Sequence, residues 1–166
     1  MKNLLFVKDD RLIPLIENFF KAEAVDYKKE DVFENWPIVS TNDEAKLKYL
    51  YYKSFYYFVK KELKKSHETL LRVDQNLIKS FKVMNEYYNF LLGKICLERA
   101  FYDKSLSSFS KIKKESNQYK KAQYYVAFIH LKNEQYKNAL FSFLQAKSED
   151  DFLSAKIKRI LPLVTA

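Results

Sequence analysis

Few of the usual parts for chemistry are present in this chain. Cys96 is the only cysteine, and His67 and His130 are the only histidines among 166 residues. A thiol beside an imidazole is the arrangement of a nucleophile and its base, so Cys96 with His130 is the pair to weigh. A metal site would need further ligands at metal-binding spacing, and the sequence has no such Cys/His cluster. Gly93 is the only glycine, so a glycine-rich phosphate loop is excluded. The expectation is a chain without catalysis, cofactor or metal, in which Cys96, His67 and His130 are packed structural residues.

What remains for function is charge and aromatic surface. The 30 basic and 21 acidic side chains leave a net charge of +9. It is unevenly spread, with 8 basic and 10 acidic residues over positions 1–48 against 22 and 11 over 49–166. A basic body attracts acidic protein segments, nucleic acid or anionic lipid. The 14 Phe and 13 Tyr supply rings on which bases can stack. Only four of the basic residues are arginines, so lysines solvating outer helix faces over an aromatic core is the simpler reading, and nucleic-acid binding is the alternative.

The elements that must position these groups are helices. Hydrophobic residues make up 48% of the chain, enough for a core in one domain of ordinary size. One Gly and three Pro leave little material for hairpin turns or a large sheet, while Leu, Lys, Glu and Ala run through long windows without a breaker. The fold class is therefore all-α. Periodicity predicts helices over 11–24, 43–65, 67–84, 86–99, 102–115, 118–132, 136–147 and 151–163. Thr41 and Glu44 have capping-box spacing at the start of the second, after a connection over 25–42 that holds the Trp36-Pro37 pair as a loop anchor. A lone thiol and an N-terminal apolar run of only Leu4-Leu5-Phe6-Val7 point to a cytoplasmic protein. The run Tyr49, Tyr51, Tyr52, Phe55, Tyr56, Tyr57 and Phe58 covers nearly all directions around its helix. It is either buried internally or a homodimer face.

Residues 87–120 align with 121–154 at a period of 34: Ile95 with Ile129, Leu97 with Leu131, Tyr102 with Tyr136, Leu106 with Leu140 and Phe109 with Phe143. Repetition of this length marks a stacked helical array. With Leu92-Gly93, Ser105 and Phe109 in one unit, and Val126-Ala127, Ala139, Phe143 and Ala146 in the next, the chain resembles the tetratricopeptide repeat. Its terminal Pro is replaced by Asn117 and Asp151. Gly93 reads as a close-packing position at which alanine also fits, because Ala127 stands 34 residues later. Residues 53–86 form a degenerate unit, with Val59, Leu71 and Gln75 at the small and aromatic places, and 155–166 a capping helix. The resemblance implies antiparallel helix hairpins in a right-handed superhelix over 49–166, with residues 1–48 packed on it as an N-terminal extension.

The resemblance also implies a concave groove lined by the first helix of each hairpin. Carried by the 34-residue period, its stripes are Tyr56, Lys60 and Lys64; Phe90, Lys94 and Glu98; and Tyr124, Phe128 and Lys132. Tyr56, Phe90 and Tyr124 either anchor a partner or belong to the core. A lysine-rich aromatic groove suits an acidic or amphipathic partner segment. In size and layout the chain is similar to small tetratricopeptide-like chaperones that hold secretion, flagellar or membrane-complex subunits. The function expected is a non-catalytic adaptor or chaperone.

Overall fold

The structure, a computed structural model, describes residues 43–146 together with Ala155 and Pro162. The expectations for residues 1–42, among them the first helix, the Trp36-Pro37 anchor, the Thr41 cap and the packing of an N-terminal extension, lie outside the described residues. So does the closing helix, except that Ala155 and Pro162 are helical and exposed.

All regular structure among the described residues is helical. The elements are α1 (Asp43–Val59), α2 (Leu63–Leu71), α3 (Gln75–Lys79), α4 (Lys82–Glu98), α5 (Tyr102–Ser110), α6 (Tyr119–Lys132) and α7 (Tyr136–Ala146). Three pairs make the most extensive contacts: α1 with α2, α4 with α5, and α6 with α7. Each is a helical hairpin. The first helix of each later hairpin also packs on both helices of the one before, α4 on α1 and α2, and α6 on α4 and α5. No described helix is long and apolar enough to cross a membrane.

The hairpins share one internal register. Small buried residues stand twelve positions apart at equivalent places of each pair: Ser54 and Ser66, Gly93 and Ser105, and Ala127 and Ala139. All but Gly93 are fully shielded from solvent, and Gly93 is buried too. In the first hairpin each serine hydroxyl donates to the other residue's carbonyl at 2.8 Å. In the second, Ser105 Oγ donates to the Gly93 carbonyl at 2.7 Å. Both hydroxyls thereby satisfy themselves against backbone at the closest approach, which only small side chains permit.

Between the paired residues each chain reverses through one turn. Lys61, Ala100 and Glu134 have φ of 65°, 59° and 59°. Each lies seven residues after the first small residue and five before the second. The amide of each bonds three residues back, to Phe58, Leu97 and Leu131, and the next amide bonds five back, to Tyr57, Cys96 and His130. This is the Schellman closure of a helix end, normally made with glycine. The chain makes it three times without one.

The register corrects the upstream alignment. Gly93 to Ala127 is 34 residues, but Ser54 to Gly93 is 39. Three of the five surplus residues lengthen the start of α4, and two lie in the connection that carries α3. Asp74 caps α3 by accepting from the amides of Asn76 and Leu77 at 2.8 and 3.0 Å. Gln75 donates to the Tyr88 hydroxyl of α4 at 2.8 Å, and Ile78 is buried. The first unit is therefore displaced rather than degenerate: Ser54, Ser66 and Leu70, not Val59, Leu71 and Gln75, stand at its small and large apolar places. The helices expected over 43–65 and 67–84 are broken accordingly, at Lys60–Glu62 and around Arg72–Phe81.

Gly93 is needed for a ring. A Cβ built there would lie 2.6, 2.7 and 2.8 Å from Cε1, Cζ and Cδ1 of Phe109. That ring is completely buried. It is stacked on Tyr125 at 5.7 Å and 10°, with Phe90 at its edge at 5.9 Å, so it has little room to retreat. The expectation that alanine fits at 93 is overturned; register equivalence with Ala127 does not extend to the ring above it. Phe143 instead sets its edge against Tyr124 and Phe128.

Gly93→Ala should lower stability by about 1–3 kcal/mol through overpacking. Combining it with Phe109→Leu, which copies the Leu70 arrangement of the first hairpin, should recover part of that loss; additive losses in a denaturant double-mutant cycle would show that the ring is not the obstacle. Ala100→Gly and Glu134→Gly should each raise the melting temperature, by about 0.5–1 kcal/mol of stability, because glycine removes the left-handed strain.

Candidate functional site

Each first helix presents the same sector, and aligning on the small residues identifies its true members. Six residues before them stand Lys48, Tyr87 and Lys121, and three before them Tyr51, Phe90 and Tyr124. One residue after come Phe55, Lys94 and Phe128, and five after come Val59, Glu98 and Lys132. At about 100° per residue these four positions span only ~80° of the helix surface.

One edge of the sector is core. Tyr51, Phe90 and Tyr124 are buried, so Phe90 and Tyr124 are packing residues rather than exposed partner anchors. Tyr124 is wholly enclosed, its ring against Phe128 at 5.1 Å and Phe143 at 6.0 Å. Its hydroxyl has no hydrogen-bond partner among the described residues. Burial alone pushes its pKa up to about 12.

The other edge faces outward. Lys48, Tyr87, Lys94, Lys121 and Phe128 are half-buried and Lys132 is exposed. Lys94 Nζ lies 5.0 Å from the Phe58 ring centre and 5.8 Å from those of Phe90 and Tyr125. Its charge is thus held by aromatic faces of all three first helices, a favourable cation–π environment. Glu98 is engaged by Lys61 Nζ at 3.0 Å, which ties the turn of the first hairpin to the end of α4.

The stripe Tyr56, Lys60 and Lys64 does not belong with the other two. Lys60 is in the turn after α1 and Lys64 is on α2. Tyr56 is half-buried, with Lys60 Nζ 4.9 Å from its ring centre. Its register equivalents are Tyr51, Phe55 and Val59, which makes the face more aromatic and less basic than a 34-residue carry-over implies. In the Tyr49–Phe58 run, Tyr49, Tyr51, Phe55, Tyr57 and Phe58 are buried and Tyr52 and Tyr56 half-buried. The run is mainly internal packing.

Cys96 and His130 do not form an activated pair. The thiol is 1% exposed, and burial raises its pKa, the reverse of what a nucleophile needs. His130 Nδ1 is paired with Gln135 Oε1 at 2.7 Å in the turn before α7. Among the described residues no group of three or more His, Cys, Asp or Glu is placed to hold a metal.

One feature went unseen in the sequence. Phe141 and Leu144 on α7 are 64% and 53% exposed. Thirty-four residues earlier the same outward positions are Ser107 and Ser110, also exposed. Comparing the two clear units at non-core positions would have found this apolar patch.

No family model matches the chain, and no curated protein or solved structure matches it.

Tyr124 distinguishes packing from binding. Tyr124→Phe removes an orphaned buried hydroxyl, so it should leave stability at neutral pH unchanged or raise it by about 1 kcal/mol. The phenol's folded pKa is raised, so its contribution is intact below about pH 10 and is lost as pH rises toward 12. The variant should therefore lose less stability than wild type across that interval, as followed by circular dichroism; parallel loss would show that Tyr124 titrates in the open.

Proposed function

We propose that this is a tetratricopeptide-like helical-hairpin protein that binds a segment of a partner protein along the outward edge of its first helices, as an adaptor or chaperone. The observation that carries this reading is the exact-register recurrence of one hairpin: three small-residue crossings, three left-handed turns and three buried large residues one helical turn on, at Leu70, Phe109 and Phe143. An array of equivalent first helices presents equivalent positions in a row, and such a row recognises extended or helical segments.

The chemistry of the row describes its occupant. Tyr87 on α4 and Phe128 on α6 offer partly exposed rings, while Lys48 on α1 and Lys121 and Lys132 on α6 add ammonium groups to the same sector. A segment alternating apolar side chains with Asp or Glu matches both features. The partner is thus an acidic, amphipathic stretch, and the basic charge serves encounter and orientation more than raw affinity.

The test is charge reversal on the corrected row. Lys48→Glu, Lys121→Glu and Lys132→Glu together should leave helical circular dichroism nearly unchanged and reduce crosslinked capture of the native partner by roughly tenfold or more. Reversal of Lys60 and Lys64, off the row, should leave capture intact. Capture by the triple variant at wild-type yield would sink the reading.

A further inference from the structure

At the junction of the first two hairpins three cationic or donor groups gather around one aromatic ring, with Glu68 and Asp103 nearby but no ion pair formed to Arg99 or Lys104 among the described residues. His67, on α2, is only 7% exposed. Its Nδ1 is bonded to Arg99 Nη1, at the end of α4. A guanidinium can only donate, so Nδ1 accepts and the ring proton sits on Nε2. That Nε2 has no hydrogen-bond partner among the described residues, and it is not among the atoms sealed from solvent. It is an N–H donor held in place and left open.

Arg99 and Lys104 complete the cluster. The Arg99 guanidinium carbon lies 4.6 Å from the centre of the Phe101 ring and Lys104 Nζ 5.7 Å from it. The His67 ring centre is 6.3 Å from the same point. Neither Arg99 nor Lys104 forms an ion pair among the described residues. Phe101 is 40% exposed; on the Lys104 side it borders a recess of about 440 Å³ that Asp103 and Asn133 also line and that His67 and Arg99 do not reach. Burial, then Arg99 and Lys104, depress the His67 pKa, while Glu68 opposes them. Cys96, whose thiol these cations also influence, stays protonated through burial.

Internal comparison shows that the architecture does not require this charge. The equivalent positions at the next junction are Leu106, Asn133 and Asn138. The same hairpin contact is made there with neutral side chains.

We propose that His67, Arg99 and Lys104 form a binding site for a tetrahedral dianion of the phosphate type. Two fixed positive charges balance its two negative ones. Donors arriving from α2, the end of α4 and α5 suit oxygens arranged in three dimensions better than a planar carboxylate, which a single fork of donors satisfies. This site lies apart from the partner-binding row and does not depend on it.

With only two histidines, the chain carries its own control. The His67 and His130 titrations are followed by NMR in the full chain, in sulfate, a dianion across the whole range, and in chloride at equal ionic strength. A bound dianion offsets Arg99 and Lys104, so sulfate should raise the His67 pKa by roughly half a unit or more and leave His130 in place. Inorganic phosphate at pH 7.5 should shift the His67 resonances saturably. Lys104→Gln, at an exposed position, should abolish the rise, and Arg99→Gln should do the same. Equal movement of both histidines, no movement of His67, an undiminished rise in Lys104→Gln, or an equal effect of acetate would each overturn the assignment.

Discussion

The structure depends on two helices passing at a point where neither carries a bulky side chain. Once Ser54 and Ser66, Gly93 and Ser105, and Ala127 and Ala139 stand at equivalent places of each pair, the rest of each hairpin is constrained. Twelve residues must contain the end of one helix, a reversal and the start of the next, which leaves room for one left-handed residue and no loop. Leu70, Phe109 and Phe143 then fall one turn beyond the crossing, where all three are completely buried. The three crossings use different chemistry for one purpose. Reciprocal serine hydrogen bonds, a serine on a glycine carbonyl and a pair of methyl groups all bring the backbones close without an unsatisfied polar atom.

Stacking hairpin on hairpin is a matter of rings. Phe109 lies on Tyr125, Phe90 closes against both, and Tyr51 meets Tyr87 across the first junction at 6.3 Å. Aromatic side chains bring large buried area at low conformational-entropy cost, which suits a chain with few other large apolar groups at these positions. Their bulk has consequences nearby. Phe109 forces glycine at 93, and enclosing Tyr124 strands its hydroxyl. Lys94 spans the same rings, its ammonium 5.0 Å from the centre of Phe58 and 5.8 Å from those of Phe90 and Tyr125, one ring from each first helix.

The helical class and the two downstream hairpins were legible in the sequence because Gly93 and Ala127, Ser105 and Ala139, and Phe109 and Phe143 repeat at one period. The first hairpin was hidden by two physical causes. Its reversal runs through Lys60, Lys61 and Glu62, all good helix formers, with no glycine to mark the left-handed residue. The extra length before Gly93 then moved its crossing off the 34-residue grid, so Ser54 and Ser66 passed unnoticed and Lys60 and Lys64 entered a face to which they do not belong. Half of the candidate face suffered a different error. Phe90 and Tyr124 have the right spacing for a groove, but spacing alone does not say which edge of an 80°-wide sector (at about 100° per residue) turns inward.

Repetition within one chain separates architecture from function. A feature present at every hairpin, such as the small crossing or the left-handed turn, is what the fold needs. A feature present at one hairpin and replaced at its equivalents by a residue that packs equally well has to be explained by something else. Phe141 and Leu144 against Ser107 and Ser110 are one such departure: solvent-facing apolar side chains gain nothing by remaining in water, yet serines serve at the preceding unit. His67, Arg99 and Lys104 against Leu106, Asn133 and Asn138 are another, and the more costly one, since gathering like charges around a buried imidazole works against folding where neutral residues would not. Both departures lie away from the row of first-helix lysines. The repeated hairpin therefore fixes the residues at its crossings and turns and leaves other positions on its second helices and junctions free to vary.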